Sequence, residues 1–291
     1  MSIKHPIISV TGSSGAGTTS VRQTFEQIFR RENVSAAFVQ GDAFHRYDRV
    51  GMEEAMAKSA AAGNPNFSHF GLEANLLAEL QTLFATYAAS GAGRTRQYVH
   101  GVEEAQETGT PRGCFTPWSD IEPDTDLLLY EGLHGAVVTP EFNLAKYADL
   151  RIGVVPVINL EWIQKIDRDR KHRGYTTDEV TEAILRRMPD YVRYICPQFT
   201  ETDVNFQRIP TVDTSNPFVA RWIPTPDESM VIIRFKEPRG IDFAYLLSMI
   251  HDSFMSRANS IVIPGSKLDL AMQLILTPLI LQLVERRRRA I

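Results

Sequence analysis

Residues 12 to 20 read Gly12-Ser13-Ser14-Gly15-Ala16-Gly17-Thr18-Thr19-Ser20. The run matches the phosphate-loop pattern GxxxxG-x-[ST] except at its lysine, where Thr18 stands. Glycines at this spacing let consecutive backbone N–H groups turn inward as an anion nest, and a following helix N-terminus adds positive potential. A hydroxyl such as that of Thr19 suits Mg2+. The geometry for binding nucleotide phosphates survives the substitution, but one cation is lost.

Two acids complete the chemistry of phosphoryl transfer. Asp42, in Gly-Asp-Ala-Phe-His-Arg, follows a short apolar run and suits a general base that takes the proton of an attacking hydroxyl. Glu131, after Leu-Leu-Leu-Tyr, stands where an acid would bind magnesium. Plainer readings, such as an aspartate capping a turn, remain open for each. A third feature is the window 165–173, where Lys165, Arg168, Arg170, Lys171 and Arg173 face only Asp167 and Asp169. Such a run ordinarily means a solvated helix face. The sharper alternative is a lid that closes over nucleotide, with Lys165 or Arg168 supplying the cation missing at Thr18 and Asp169 joining the metal shell. On the acceptor side, His45, Arg49 and the cluster Arg94 to His100 offer donors for a phosphorylated sugar.

These residues must be positioned by strand ends and helix starts. Short apolar runs closed by Gly, Asp or Glu alternate with helical patterns through the first two thirds of the chain, the signature of βαβ units. Strands are predicted at 6–11, 36–40, 127–130 and 149–157. Helices are predicted at 19–29, 71–89, 160–170 and 177–194, the last capped by Thr176 or Thr177 with Glu179 nearby. Beyond about residue 200 proline-punctuated strands at 204–208 and 230–235 precede helices at 243–255 and 268–284, with a strand at 261–263. The expected fold is an α/β, doubly wound, mostly parallel mixed sheet of the P-loop kinase type with helices on both faces. Residues 1–200 form the kinase core and 201–291 a C-terminal extension of the same domain.

Composition sets the bounds. The 291 residues carry 31 Lys+Arg against 35 Asp+Glu, and 43% are apolar. This excludes a disordered chain and argues against a broad nucleic-acid footprint. The basic run Arg286 to Arg289 reads as a solvated helix end. Neither a signal peptide nor a spanning helix fits, so no membrane partner is expected and the location reads as cytoplasmic. Two distant cysteines, Cys114 and Cys196, exclude a thiolate zinc site and read as buried thiols.

Taken together, GSSGAGTTS, GDAFHR, NFSHFGLEANLL, RTRQYVH, LLLYEGLHG and INLEWIQKIDRDRKHRGYT resemble the bacterial class of the phosphoribulokinase family, within the uridine kinase and pantothenate kinase group. The resemblance implies ATP- and Mg2+-dependent phosphorylation of the C1 hydroxyl of ribulose 5-phosphate, the step that makes ribulose 1,5-bisphosphate for carbon fixation. It implies Asp42 as base and Glu131 and Asp169 as metal-linked acids. His45, Arg49, His100, Lys165, Arg168 and Arg173 would bind sugar phosphate or the transition state. It also implies a homo-oligomer, an octamer in size, with NADH as activator and Arg234 and Arg257 as effector contacts. The Thr18 departure agrees with this class, and no cysteine near residues 12–19 is available for a thiol switch. The rival readings are a uridine or pantothenate kinase and a non-catalytic nucleotide-binding regulator.

Overall fold

The protein is seen here as a computed structural model that describes residues 3–13, 18–155, 157–219 and 222–290; side chains at 18–20, 172 and 173 fall outside the description. In chain order the strands are β1 (Ile7–Gly12), β2 (Ala36–Gln40), β3 (Arg94–Thr95), β4 (Ser119–Asp120), β5 (Leu127–Gly132), β6 (Leu150–Val155), β7 (Val204–Pro210), β8 (Ser229–Phe235), β9 (Phe254–Arg257) and β10 (Ser260–Pro264). The helices are α1 (Thr18–Glu32), α2 (Arg49–Ala61), α3 (Leu77–Ser90), α4 (Val102–Thr108), α5 (Ile158–Arg173), α6 (Thr177–Asp190), α7 (Gln198–Glu201), α8 (Phe243–Met249) and α9 (Leu268–Ala290).

One sheet runs in the order β2-β5-β1-β6-β7-β8-β10-β9. The first five strands pair in parallel and the last three antiparallel. β1 is buried along its whole length, as the apolar run IISV requires of a strand covered on both faces. On one face Ile8, Val10, Leu127 and Leu129 pack with Phe25 and Ile28 of α1 and Met272 and Ile275 of α9. On the other, Ile7, Val39, Leu128 and Tyr130 pack with Leu80 and Phe84 of α3. The connection from β1 through α1 to β2 skips over β5, so the chain reverses direction across the sheet at β1. Such a switch point opens a crevice at the carboxyl ends of the strands.

Several elements differ from the sequence reading. The helix expected over 71–89 begins only at Leu77, because Leu72–Ala74 form a single 3-10 turn and Leu76 N–H donates to the carbonyl of Phe44 at 2.7 Å. The helix expected over 243–255 stops at Met249, and the chain turns into the edge strand β9. Past Asp190 the helix expected to reach 194 loosens to a π-helical turn over Tyr191–Ile195. α2 and α4 carry no apolar period to predict them by: Met52 is the only buried residue of α2, and α4 has none. Local chemistry specifies α2 instead, with the Asp48 carboxylate accepting from Gly51 N–H at 2.8 Å.

Neither cysteine is a buried thiol: Cys114 is half-buried and Cys196 exposed. The basic run is likewise not uniformly solvated. Arg287 pairs with Asp126 at 3.2 Å, with the guanidinium largely covered, and ties the end of α9 to the start of β5. The stretch Gly265–Ala290 is long and apolar enough to cross a membrane. Its apolar side is nevertheless committed to the core, where Ala271, Met272, Ile275, Leu276, Ile280 and Val284 are buried.

Candidate active site

Asp42 sits in a 3-10 turn, Gly41–Phe44, directly after β2. Gly41 and Gly132 bring the ends of β2 and β5 together, since a Cβ on Gly41 would lie 2.7 Å from the Cα of Gly132. Any larger residue at either position would push the Asp42 turn off the sheet. Glu131 precedes Gly132 and, by strand alternation with Leu127 and Leu129, lies on the α1 face of the sheet. β1, which leads into the phosphate loop, is the next strand. Gly12 closes it, and Ser13 is fully buried. Ser14, Gly15, Ala16 and Gly17 lie outside the described residues. The backbone of Thr18, Thr19 and Ser20 opens α1, as the pattern requires, while their side chains lie outside the description.

The Asp42 carboxylate is held between two imidazoles. His45 Nε2 lies 3.1 Å from Oδ1 and His100 Nε2 3.1 Å from Oδ2, with 40% of the Asp42 side-chain surface left open. Desolvation works against the charged carboxylate, but the His45 charge and the hydrogen bonds from His100 and His45 outweigh it and hold Asp42 well below the usual carboxylate range.

Behind His45 lies a second layer. Asn75 bridges to it from the segment preceding α3, with Oδ1 2.9 Å from His45 Nδ1. The Asn75 amide nitrogen reaches the carbonyls of His69 at 2.9 Å and Gly71 at 2.6 Å, and stands 3.2 Å from His134 Nε2. The His69 ring stacks on His45 with centroids 4.0 Å apart. Burial pushes His69 well below the usual imidazole range and His134 down to about 4.

A neutral buried histidine makes stability depend on acid. The unfolded chain takes up a proton at His134 near its ordinary value of 6.5, whereas the folded chain resists until about 4. The contribution is therefore fully present above pH 6.5 and lost as pH falls toward 4, up to about 3 kcal/mol. The urea midpoint of the wild type is expected to drop between pH 7 and pH 5, and His134→Gln to drop less. An equal drop in both proteins would remove His134 from this role.

The basic helix is solvated only in part: Arg170 and Lys171 are exposed, but the side carrying Lys165 and Asp169 is not. α5 does continue to Arg173, but Lys165 and Asp169 are 7% and 3% exposed. Lys165 Nζ donates to Asp169 Oδ2, and Arg168 donates to Oδ1 at 3.0 Å. One turn earlier Glu161 is buried beside the Ser13 hydroxyl and raised to about 7, chiefly by desolvation. Burial and the nearby Arg187 charge lower Lys165 to about 8. The same Arg187 acts electrostatically on His69 and lies over the Phe70 ring at 5.5 Å. Through Ser13 and Arg187, α5 and α6 are tied to both the phosphate loop and the histidine layer.

On the acceptor side the spacing of His45 and Arg49 is not that of one helix face. His45 lies in the bridge to Asn75, and Arg49 opens α2, exposed and bonded to the Tyr98 hydroxyl. Arg96, grouped by sequence with the substrate donors, has a different task. Its guanidinium is 3.6 Å from the Phe115 ring centroid and donates to the carbonyls of Ala43 at 2.8 Å and His45 at 2.7 Å, which clamps the Asp42 turn. The Arg173 side chain lies outside the description. Arg234 and Arg257 come into one row, as register partners of Ser260 from either side.

Magnesium can be tested against the donors present. Among the described residues no three His, Cys, Asp or Glu side chains form a metal cage. Mg2+ ordinarily takes only one or two carboxylates and draws its other oxygens from phosphates and water. Glu131 supplies a hard oxygen at the strand end, and Asp169 a carboxylate paired with Lys165 and Arg168, so the donor chemistry fits. Sequence reasoning missed Asn75, His69, His134, Glu161 and the clamp by Arg96. Only the His and Asn lying within the quoted motifs gave any signal.

A model of the phosphoribulokinase / uridine kinase family matches residues 7–215. The chain is 70% identical over 287 residues to a phosphoribulokinase of Nitrobacter vulgaris, covering 99% of each chain. It is 73% identical over 290 residues to one of Xanthobacter flavus, covering 100% of each. The solved phosphoribulokinase from Rhodobacter spheroides superposes with a TM-score of 0.91 at 62% identity, over 99% of this chain and 100% of that one. The family model and the full-length similarity agree, and the chain belongs to the phosphoribulokinase / uridine kinase family.

Proposed function

We propose that the chain transfers the γ-phosphoryl group of ATP to the C1 hydroxyl of D-ribulose 5-phosphate, giving ribulose 1,5-bisphosphate and ADP. The observation that carries this reading is Asp42, an ionised carboxylate half-open to solvent and fixed by His45 and His100 at a strand end beside Glu131. The sugar hydroxyl attacks γ-phosphorus in line, the new O–P bond forms, and the bond to the β-phosphate oxygen breaks. Asp42 receives the hydroxyl proton. A carboxylate this acidic is a weak base, which suits a loose transition state in which the hydroxyl gives up its proton late and orientation matters most.

Phosphates rest on residues 12–20, and Lys165 and Arg168 supply the cations that Thr18 does not. His45, Arg49, His100 and Arg173 bind the sugar phosphate. Glu131, Asp169 and Thr19 would hold Mg2+, which would supply positive charge to offset that developing on the phosphate oxygens. A homo-oligomer agrees with the uncovered edge strand β9 and with exposed Phe254, Tyr245 and Met249 beside it. NADH activation through the row Arg234 and Arg257, a cytoplasmic location, and a kinase core at 1–200 with its extension at 201–291 in one domain complete the reading.

The test is product formation from ATP and Mg2+ with ribulose 5-phosphate, uridine or pantothenate in separate reactions, with and without NADH. Bisphosphate is expected from the first acceptor only, and faster with NADH. Phosphorylation of uridine or pantothenate instead would overturn the acceptor, and ATP binding without any product would make the chain a regulator. An unchanged rate with NADH would remove the effector reading alone.

A further inference from the structure

We propose that Asn75 is a positioning residue that keeps both ring nitrogens of His45 protonated, so that the acceptor site holds a fixed imidazolium beside Asp42. The assignment follows from which atoms can donate. The Asn75 amide nitrogen faces the carbonyl oxygens of His69 at 2.9 Å and Gly71 at 2.6 Å, and both of these can only accept. Its orientation is thereby fixed, and the atom 2.9 Å from His45 Nδ1 must be the amide oxygen. Nδ1 therefore carries a hydrogen. On the other side of the ring, Nε2 lies 3.1 Å from an oxygen of the Asp42 carboxylate, again an acceptor only. Nε2 therefore carries a hydrogen as well, and a ring with two N–H groups is a cation.

The surroundings place that charge on His45 and not on its neighbours. The His69 ring is stacked on it at 4.0 Å, and the Nδ1 of His69, like that of His134, is buried without a hydrogen-bond partner among the described residues. His134 makes its hydrogen-bond contacts with the group through Asn75 and the His69 carbonyl, and acts on His45 and His69 electrostatically. His100 meets the opposite oxygen of Asp42, Arg187 acts on the group from α6, and Arg96 touches only the backbone carbonyl of His45. Of the three clustered rings, His45 alone faces an anion that balances a charge. A cation fixed there can attract an anionic sugar phosphate and still hold Asp42 in the orientation its hydroxyl needs. The shortening of α3 serves this arrangement: Asn75 lies in a bridge to His45, not in a helix turn.

This inference rests on the acceptor-site reading proposed above, so the experiment separates the two. Protein labelled with 15N-histidine reads His45 directly, its signals identified by their loss in His45→Asn. In the wild type both nitrogens are expected to carry hydrogens at pH 8. Asn75→Leu removes the acceptor and is expected to leave His45 with one hydrogen at that pH, whereas Asn75→Asp, which keeps an oxygen facing Nδ1, retains both. A merely structural role for the Asn75 amide nitrogen would affect the two variants alike. In steady state, Asn75→Leu is expected to raise KM for ribulose 5-phosphate about tenfold at pH 8 and less than threefold at pH 6, with KM for ATP unchanged. A singly protonated His45 in the wild type overturns the proposal, and this measurement stands even if Asn75→Leu does not fold. So does a doubly protonated ring in folded Asn75→Leu. Loss of the hydrogen with KM unchanged at both pH values supports the link from Asn75 to His45 and overturns the acceptor-site reading.

Discussion

Asp42→Asn is expected to lower kcat by about 10²- to 10⁴-fold while KM for ATP changes less than about threefold. The loss has two sources. The amide cannot take the hydroxyl proton, and one of its two ends presents N–H groups to an imidazole that now donates to the carboxylate, either His45 or His100 at 3.1 Å. Orientation of the acceptor and acceptance of its proton fail together, and the effect falls on kcat because both are needed only when sugar and nucleotide are bound. The loop after β1, where the nucleotide is proposed to bind, lies two strands away from β2, so its KM is expected to be insulated. A kcat within tenfold of the wild type, in a protein that melts normally, would remove Asp42 from the reaction.

Lys165→Met is expected to lower kcat by about 10³-fold, with Arg168→Gln showing a smaller loss. Thr18 stands where the phosphate-loop pattern has its cation, and the candidate replacement lies on α5, where Lys165 is 7% exposed and paired with Asp169. A cation shielded from water acts more strongly on developing phosphate charge than one on a solvated surface. Removing Lys165 also strips a buried carboxylate of a partner, so the melting temperature of Lys165→Met must be recorded with its kcat. Arg168 remains on the other Asp169 oxygen at 3.0 Å and limits that damage. If both variants fold and turn over within tenfold of the wild type, the cation comes from elsewhere.

Strands β1, β2 and β5 were legible because each is an apolar run closed by a residue with a local reason to end it. Gly12, Gly41 and Gly132 are such residues, two of them in direct contact across strand ends. The Thr176 capping box was legible too, since its partner Glu179 is three residues away and receives the Thr176 N–H at 2.7 Å. α2 was not, because a helix burying only Met52 has no apolar period. The edge strand β9 was hidden for the opposite reason: its apolar residues follow those of α8 closely enough to read as one helix.

Within the site, residue type and strand-end position were enough to single out Asp42, Glu131 and the basic run on α5. Those signals are local, carried by a few neighbours in the chain. What the basic run does depended on burial, which converts a stripe of charges that reads as solvated into the Lys165, Asp169 and Arg168 cluster. Arg96 changed from a substrate donor to a clamp once its guanidinium was seen on two backbone carbonyls more than fifty residues away in sequence. The amino-acid sequence by itself determined the phosphate loop, the two strand-end acids and the alternation of strands and helices that aligns them. Only the tertiary structure decided which side chains surround His45 and Asp42, because hydrogen-bond partners such as Asn75 and His45 are brought together by folding and leave no periodic trace along the chain.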